Sequence, residues 1–122
     1  MSRTDSILII DDNEDILEFL SEVLGDTYKL HLAENGEVAQ EILNAEVVDL
    51  IVSDIMMPGI DGFEVCRMVK SNVEYCHIPV VLLTAKNTYQ AHIESLEVGA
   101  DIYIQKPFSP EHLMAQASNL LK

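Results

Sequence analysis

Five apolar runs alternate along the chain with segments in which apolar residues recur at helical spacing. Each run has the length of one β-strand, and the third is continuously apolar, as expected for a strand that is buried on both faces. The second run alternates apolar with polar residues, which is typical of an outer strand. The predicted strands are SILII, YKLHLA, DLIVS, IPVVLLT and DIYI.

A helix is predicted after every strand, because apolar residues there lie three or four positions apart. The first helix stops at Gly25, the second runs from about Asn35 to Ala45, Asp61 caps the third, and Ser109 caps the last. The apolar positions of the five helices are, in chain order, Ile16, Leu17, Leu20, Val23 and Leu24; Val38, Ile42 and Leu43; Phe63, Cys66 and Val69; Ile93 and Leu96; and Leu113, Ala117, Leu120 and Leu121.

Repeated βα units predict an α/β fold, in which a doubly wound parallel sheet carries helices on both faces. The 122 residues, 48% of them hydrophobic, suffice for one core, so a single domain over residues 1–122 is expected. Ligands of such sheets bind beyond the carboxyl ends of the strands. Residues that follow the strands are therefore the candidates for chemistry.

The charge balance excludes several kinds of partner. The chain has 21 acidic and 7 basic residues and a formal charge of −14, which repels nucleic acids and anionic membrane surfaces. No apolar stretch has the length of a membrane span, and the first residues lack the apolar region of a secretory signal. Cys66 and Cys76 have no metal-ligand spacing and are expected to be reduced thiols. These features predict a cytoplasmic protein.

Polar residues follow four of the predicted strands. Asp11 and Asp12 follow the first, Asp54 the third, Thr84 the fourth and Lys106 the fifth. Because the strands are parallel, we expect these side chains to converge on one rim of the sheet. Two acids about 4 Å apart repel by about 4 kcal/mol at an effective dielectric constant near 20, so a cation is expected between them.

A divalent ion explains why two adjacent acids follow the first strand. Mg²⁺ takes oxygen ligands and is usually held by one or two carboxylates together with phosphate. Asp54 is then placed to act as a carboxylate nucleophile toward a phosphoryl group. Lys106 would offset charge on the phosphoryl oxygens, and the Thr84 hydroxyl would donate a hydrogen bond to one of them.

Four stretches together resemble the receiver domains of two-component response regulators: LIIDDNED, DLIVSDIMMPGIDGFEVC, IPVVLLTAK and GADIYIQKPF. The segment KPFSPEHL is similar to receivers within hybrid sensor kinases. The resemblance implies a flavodoxin-like fold with five strands in the order 2-1-3-4-5 and five helices. It also implies that Asp54 accepts phosphate from a histidine kinase or a phosphotransfer protein.

The resemblance extends to a metal site for Mg²⁺ or Mn²⁺. By position, Asp12 and Asp54 are similar to the direct ligands, and Asp11 to a ligand that acts through water. The carbonyl oxygen of Met56 is implied as a further ligand.

Other positions are implied in switching. Thr84 and Tyr103 resemble the pair that reorients on phosphorylation, and Lys106 the lysine that contacts phosphate, with its bond to Pro107 cis. The fourth helix, fifth strand and fifth helix would then change their surface. That surface would control an output domain in the same or another chain, with dimerisation on phosphorylation.

The lifetime of the phosphorylated state depends on the positions two residues beyond Asp54 and Thr84, which are Met56 and Lys86. In the receivers that the chain resembles, these side chains flank the path of the attacking water. Met56 is a poor partner for water, and Lys86 adds a cation near the phosphoryl oxygens. Slow to moderate self-dephosphorylation is expected.

Three other functions share some of these sequence features. A calcium loop beginning at Asp11 lacks the glycine that its sharp turn needs, because Ile16 stands there. Phosphatases of the haloacid dehalogenase type carry a second Asp two residues after the nucleophile, where this chain has Met56, so turnover of a small substrate is not expected. A receiver fold that only docks, without phosphorylation, is the remaining alternative.

Overall fold

The computed structural model describes residues 4–85 and 89–122, so Lys86 lies outside the described residues. Strands and helices alternate along the whole of this part, as the sequence predicts. The strands are β1 Ser6–Ile10, β2 Lys29–Ala33, β3 Leu50–Asp54, β4 Val80–Thr84 and β5 Ile102–Gln105. The helices are α1 Glu14–Leu24, α2 Gly36–Ala45, α3 Gly62–Ser71, α4 Tyr89–Glu97 and α5 Pro110–Leu120.

The five strands form one parallel sheet in the order β2-β1-β3-β4-β5, which confirms the predicted fold class. The order reverses direction between β1 and β3, which are hydrogen-bonded neighbours. The crevice at such a reversal is where doubly wound sheets bind their ligands. Asp11 and Asp54 come from these two strands.

The two faces of the sheet carry separate cores because successive strand residues point to opposite sides. Leu8 and Ile10 pack in a cluster with side chains of α2 and α3, and Ile7 and Ile9 pack in a cluster with side chains of α1 and α5. We call these the α3 face and the α1/α5 face. Strand β2 lies at the edge, as predicted, and its Leu32 is exposed.

Side-chain caps fix where four of the helices begin. Asn13, Asn35, Asp61 and Ser109 each accept a hydrogen bond from a backbone amide of the first turn. The caps predicted for α3 and α5 are thereby confirmed. Each of these helices begins just after a strand or loop at the carboxyl edge of the sheet, so the caps also fix the loops there.

Helix α4 is the least buried of the helices. Ser95 is its buried residue, whereas Leu96, one of the two apolar positions that predicted the helix, is exposed. Ala91 of α4 packs against the α3-face cluster, and Val98, just beyond the end of α4, is buried within it. Within the described part of the chain, no helix has the length and apolarity that a membrane crossing requires.

Both cysteines are free thiols, as predicted. Burial raises the pKa of the Cys66 thiol to about 11, and its Sγ donates to the carbonyl of Val98 at 3.4 Å. Cys76 is exposed. The buried thiol thus stays protonated and joins α3 to the segment that follows α4.

Candidate functional site

The residues predicted to converge do so at the carboxyl ends of four strands. Asp11 directly follows β1 and is 1% exposed, and Asp54 ends β3 and is 6% exposed. Thr84 ends β4 and is buried, and Lys106 directly follows β5. The sequence separates these residues by up to 95 positions, and the parallel sheet brings them to one rim.

Lys106 joins the two buried acids. Its Nζ donates to Asp11 Oδ2 and to Asp54 Oδ1, each at 3.2 Å. A single ammonium group therefore bridges carboxylates from β1 and β3. Its peptide bond to Pro107 is cis, in agreement with the resemblance.

The second oxygen of Asp11 is held by the start of α1. Its Oδ1 accepts from the backbone amide of Asn13 at 2.9 Å, and the Asn13 side chain in turn accepts from the amide of Asp15. The orientation of the Asp11 carboxylate is thus fixed from both sides. Asn13 thus caps α1 and also joins that helix to the site, a link that appears only in three dimensions.

Carboxylate oxygens of Asp11, Asp12 and Asp54 all lie within 4.8 Å of one another. Three carboxylates then face one ammonium, so the rim carries an excess of negative charge. Oxygen donors in this number are the set that Mg²⁺ and other hard divalent ions prefer. The donor set therefore fits the predicted metal, with Asp12 on the exposed side and the other two acids buried.

Ionisation of Asp54 is opposed by its surroundings. Burial and the neighbouring Asp11 raise the pKa of this carboxyl above its ordinary value, and Lys106 offsets part of that rise. Ionised Asp54 is thus short of compensating positive charge. A divalent cation or a cationic partner would stabilise it.

The backbone of Asp54 lies against the start of α3. An added Cβ at Gly62 would lie 2.3 Å from the Asp54 carbonyl oxygen and 2.7 Å from Ile55 Cα. The Gly62 amide donates to the Ile55 carbonyl at 3.0 Å, and Ser53 Oγ donates to the Asp54 carbonyl at 2.9 Å. Close approach of the backbone therefore requires glycine at position 62, whereas Gly59 in the preceding turn has a φ of 74°.

Thr84 and Tyr103 lie on the α3 face of the sheet. In the register of β4 and β5, Leu82 pairs with Tyr103 and Thr84 pairs with Gln105. Leu82 belongs to the α3-face cluster, and Tyr103 packs against that cluster. The two residues predicted to switch are therefore neighbours on one face. Thr84 lies at the acidic rim, and Tyr103 lies next to it.

Met56 lies in the loop after β3, and its side chain is 53% exposed. The predicted ligand role of its carbonyl oxygen stays a prediction. Lys86, the other residue invoked for phosphate lifetime, is outside the described residues.

An apolar cleft of about 450 Å³ adjoins Lys106 on the α1/α5 face. Phe19, which is 39% exposed, and Phe108 form its aromatic part, with ring centroids 6.4 Å apart. Acidic residues are frequent on the exposed surface of α1 beside it. The cleft is lined by Ile16, Phe19, Ala85, Lys106, Pro107 and Phe108.

Comparison with known proteins connects this rim to a family. The family model of the response regulator receiver domain matches residues 7–118. Histidine kinase P4 of Formosa agariphila is 37% identical over 117 residues, covering 96% of this chain and 8% of the kinase. Response regulator MprA of Mycolicibacterium vanbaalenii is 36% identical over 117 residues, covering 95% of this chain and 50% of that regulator. The chain thus spans half or less of the length of these relatives.

Solved structures agree with the fold. The signal receiver domain of a signal transduction histidine kinase from Syntrophus aciditrophicus has a TM-score of 0.90 and 36% identity, over 96% of this chain and 89% of that one. Chemotaxis protein CheY4 of Vibrio cholerae has a TM-score of 0.92 and 30% identity, over 98% of this chain and all of that one (100%). The acidic rim lies inside every matched region.

Proposed function

The chain belongs to the family of response regulator receiver domains, and on this premise we propose that Asp54 accepts a phosphoryl group from a phosphohistidine. The family role is that of a phosphoacceptor signalling switch. The observation that carries the assignment is the position of Asp54, buried at the end of β3, bonded to Lys106 and close to two further carboxylates.

The proposed reaction needs an ionised Asp54. One of its carboxylate oxygens attacks phosphorus, the bond between phosphorus and the histidine nitrogen breaks, and an acyl phosphate forms on Asp54. Lys106 already lies 3.2 Å from the carboxylate, so its ammonium group is placed to contact an incoming phosphoryl oxygen. The Thr84 hydroxyl at the end of β4 supplies a further donor. The chain is thus phosphorylated on its own Asp54, and no catalytic turnover of a small substrate is proposed.

We assign the metal site to Asp11, Asp12, Asp54 and the carbonyl oxygen of Met56, with Mg²⁺ or Mn²⁺ as the ion. When bound, the ion supplies positive charge to the phosphoryl oxygens. The clustering of the three carboxylates and the raised pKa of Asp54 support this assignment.

Metal dependence gives a prediction for Asp12. Millimolar Mg²⁺ should raise the melting temperature of the wild-type chain, because an ion that binds the folded state stabilises it by about 2.7 kcal/mol at 100 times its Kd. Asp12→Ala should lose most of this gain, together with Mg²⁺-dependent phosphorylation by phosphoramidate. Thermal melting and intact mass, each with Mg²⁺ or with EDTA, measure the two effects.

Asp26→Ala is the matched control, since it removes one exposed acid elsewhere on the surface. It should keep both the melting shift and the phosphorylation. An Asp12→Ala chain that keeps the full Mg²⁺ shift would place the metal elsewhere.

The donor is proposed to approach over the apolar cleft, because the cleft borders Lys106. A partner that brings a phosphohistidine to Asp54 must cover this rim. Its surface should combine an apolar patch for Phe19 and Phe108 with basic side chains opposite the acidic α1. The net charge of −14 supports a basic protein surface as the partner, and it opposes nucleic acid and anionic membrane as direct partners.

Phe19→Glu tests this approach. Phosphoryl transfer from a phosphorylated histidine phosphotransfer domain that serves the wild-type chain should slow at least about tenfold, since a charge replaces an apolar anchor. Phosphorylation by phosphoramidate should be unchanged, because a small donor needs no protein contact. Rates follow from intact mass against time.

Val73→Glu serves as the control for Phe19→Glu. Val73 is also exposed, but it follows α3, which packs on the other face of the sheet from the cleft. Equal slowing in the two variants, or slowing with phosphoramidate in Phe19→Glu, would remove the cleft from the donor interface.

Phosphorylation is proposed to change the surface of α4, β5 and α5 and so to control an output domain or another chain, with dimerisation as one outcome. The shared face of Thr84 and Tyr103 supports this direction of signalling. The free thiols support a cytoplasmic location, because such thiols persist in reducing compartments. No observation on the described residues favours a docking module that is never phosphorylated.

A further inference from the structure

His92 on α4 touches the ring of Tyr103 on β5. The ring centroids are 5.5 Å apart, and the ring planes are nearly perpendicular at 88°. This is the edge-on arrangement that aromatic pairs favour. The contact joins the exposed helix to the strand that holds the predicted switch residue.

Few buried side chains hold α4 in place, so the contact between His92 and Tyr103 is a large part of what positions the helix. Tyr89 is 80% exposed, Leu96 is exposed, and Ser95 is the buried residue of the helix. Ser95 Oγ donates to the carbonyl oxygen of His92 at 2.7 Å, so the His92 backbone is tied to the one buried position. The imidazole ring of the exposed His92 therefore meets Tyr103 from a helix that has few buried side chains.

Tyr103 is also the residue through which the acidic rim can act on α4. It packs on the same face as Thr84, two positions away in the register of β4 and β5. In the structure Lys106 binds the free carboxylates of Asp11 and Asp54, and the perpendicular contact of His92 with Tyr103 occurs together with this pairing. Any phosphate-dependent movement of Tyr103 must break or remake that contact.

We propose that His92 is a positioning residue that holds Tyr103 in its unphosphorylated arrangement and so sets how readily the chain switches. The inference rests on the proposed function, because it assumes that Tyr103 moves when Asp54 carries phosphate. A contact made in one state only biases the equilibrium toward that state. Because coupling is reciprocal, removal of the contact must increase the affinity of the acceptor site for a phosphate analogue.

Titration with beryllofluoride in the presence of Mg²⁺ measures that affinity. His92→Ala should lower the apparent Kd roughly two- to tenfold, as expected for loss of one aromatic contact from the resting state. His92→Phe keeps a ring at this position and should stay within about twofold of wild type. Fluorine NMR of bound beryllofluoride reports occupancy, and amide shifts near Tyr103 report the arrangement.

Two further variants separate positioning from a general effect on the helix. Tyr89→Ala removes an exposed aromatic ring from the same helix and should leave the Kd unchanged. In a Tyr103→Leu background, His92→Ala should change the Kd no further, since the contact is already absent.

The outcomes separate this inference from the proposed function. An unchanged or weaker affinity in His92→Ala, or a His92→Phe chain that behaves like His92→Ala, overturns the role of His92 alone. A wild-type chain that does not bind beryllofluoride, or an Asp54→Asn chain that binds it equally well, overturns the proposed function together with the inference.

Discussion

Asp54→Asn abolishes phosphoryl uptake from phosphoramidate or acetyl phosphate in the presence of Mg²⁺. The amide nitrogen and oxygen of Asn lack the negative charge that attacks phosphorus, so the covalent step has no nucleophile. Intact mass should rise by one phosphoryl group in the wild-type chain and stay constant in the variant. Asp26→Asn, an exposed acid outside the rim, should be phosphorylated as wild type.

The same variant should be more stable than wild type when no metal is present. Burial and Asp11 raise the pKa of Asp54 in the folded chain, so ionisation of Asp54 opposes folding. Its unfavourable contribution is absent below the ordinary pKa of 3.8, grows as pH rises from there to the raised pKa of the folded chain, and is constant above it. The melting difference between variant and wild type should therefore widen from acid to neutral pH in EDTA.

Phosphoryl uptake by Asp54→Asn would move the acceptor to another residue. Equal melting temperatures at neutral pH without metal would mean that Lys106 fully compensates the buried charge. The first result addresses the chemistry and the second the electrostatics, so each can fail separately.

Gly62→Ala lowers the free energy of unfolding by about 3 kcal/mol, because the methyl group overlaps backbone atoms that cannot rotate away. The added Cβ would lie 2.3 Å from the Asp54 carbonyl oxygen and 3.0 Å from the Asp54 carbonyl carbon. The start of α3 or the end of β3 must shift to relieve the overlap. Chemical denaturation should report the loss, with a melting temperature lower by roughly 10 °C.

The same backbone shift should also affect the phosphorylation of Asp54. Because the displaced backbone belongs to the acceptor, phosphorylation by phosphoramidate should slow in Gly62→Ala even at temperatures where the chain is fully folded. Near-attack geometry is sensitive to displacements of about 1 Å. Single-turnover rates at low temperature measure this effect apart from unfolding.

Gly59→Ala is the control in the same loop. Gly59 has a φ of 74°, but an added Cβ meets nothing nearer than Glu37 Oε1 at 3.9 Å. Its cost is conformational and should be about 1 kcal/mol, with little change in phosphorylation rate. Equal losses of stability in both variants would show that backbone conformation, and not contact with Asp54, causes the loss in Gly62→Ala.

The alternation of apolar runs with helical stripes predicted every strand and helix in the described part of the chain. Strand β3 was assigned from its continuous apolar sequence, and its central position in the sheet explains that sequence. The caps at Asp61 and Ser109 were also readable, because a side chain that caps a helix acts within three residues of itself. Strand order came from the resemblance to a family, since local patterns do not state which strands pair.

Two further details could not be predicted, because local sequence patterns do not show which residues meet in the folded chain. Leu96 fits the helical stripe of α4, yet it is exposed, because spacing shows that a helix has an apolar side but not how closely the sheet approaches it. The need for glycine at position 62 also depends on packing, because the atoms that exclude a side chain there belong to Asp54 and Ile55, across the loop.

The sequence by itself determined which side chains stand at the acidic rim, because each follows a strand and all strands run in one direction. It determined the excess of acid there for the same reason. Only the tertiary structure decided that Lys106 bridges Asp11 and Asp54, since that geometry depends on how segments 95 and 52 residues apart pack together. It likewise decided that His92 meets Tyr103 edge-on, because the placement of a helix over a sheet is set by the packing of the whole face and not by the residues of the helix alone.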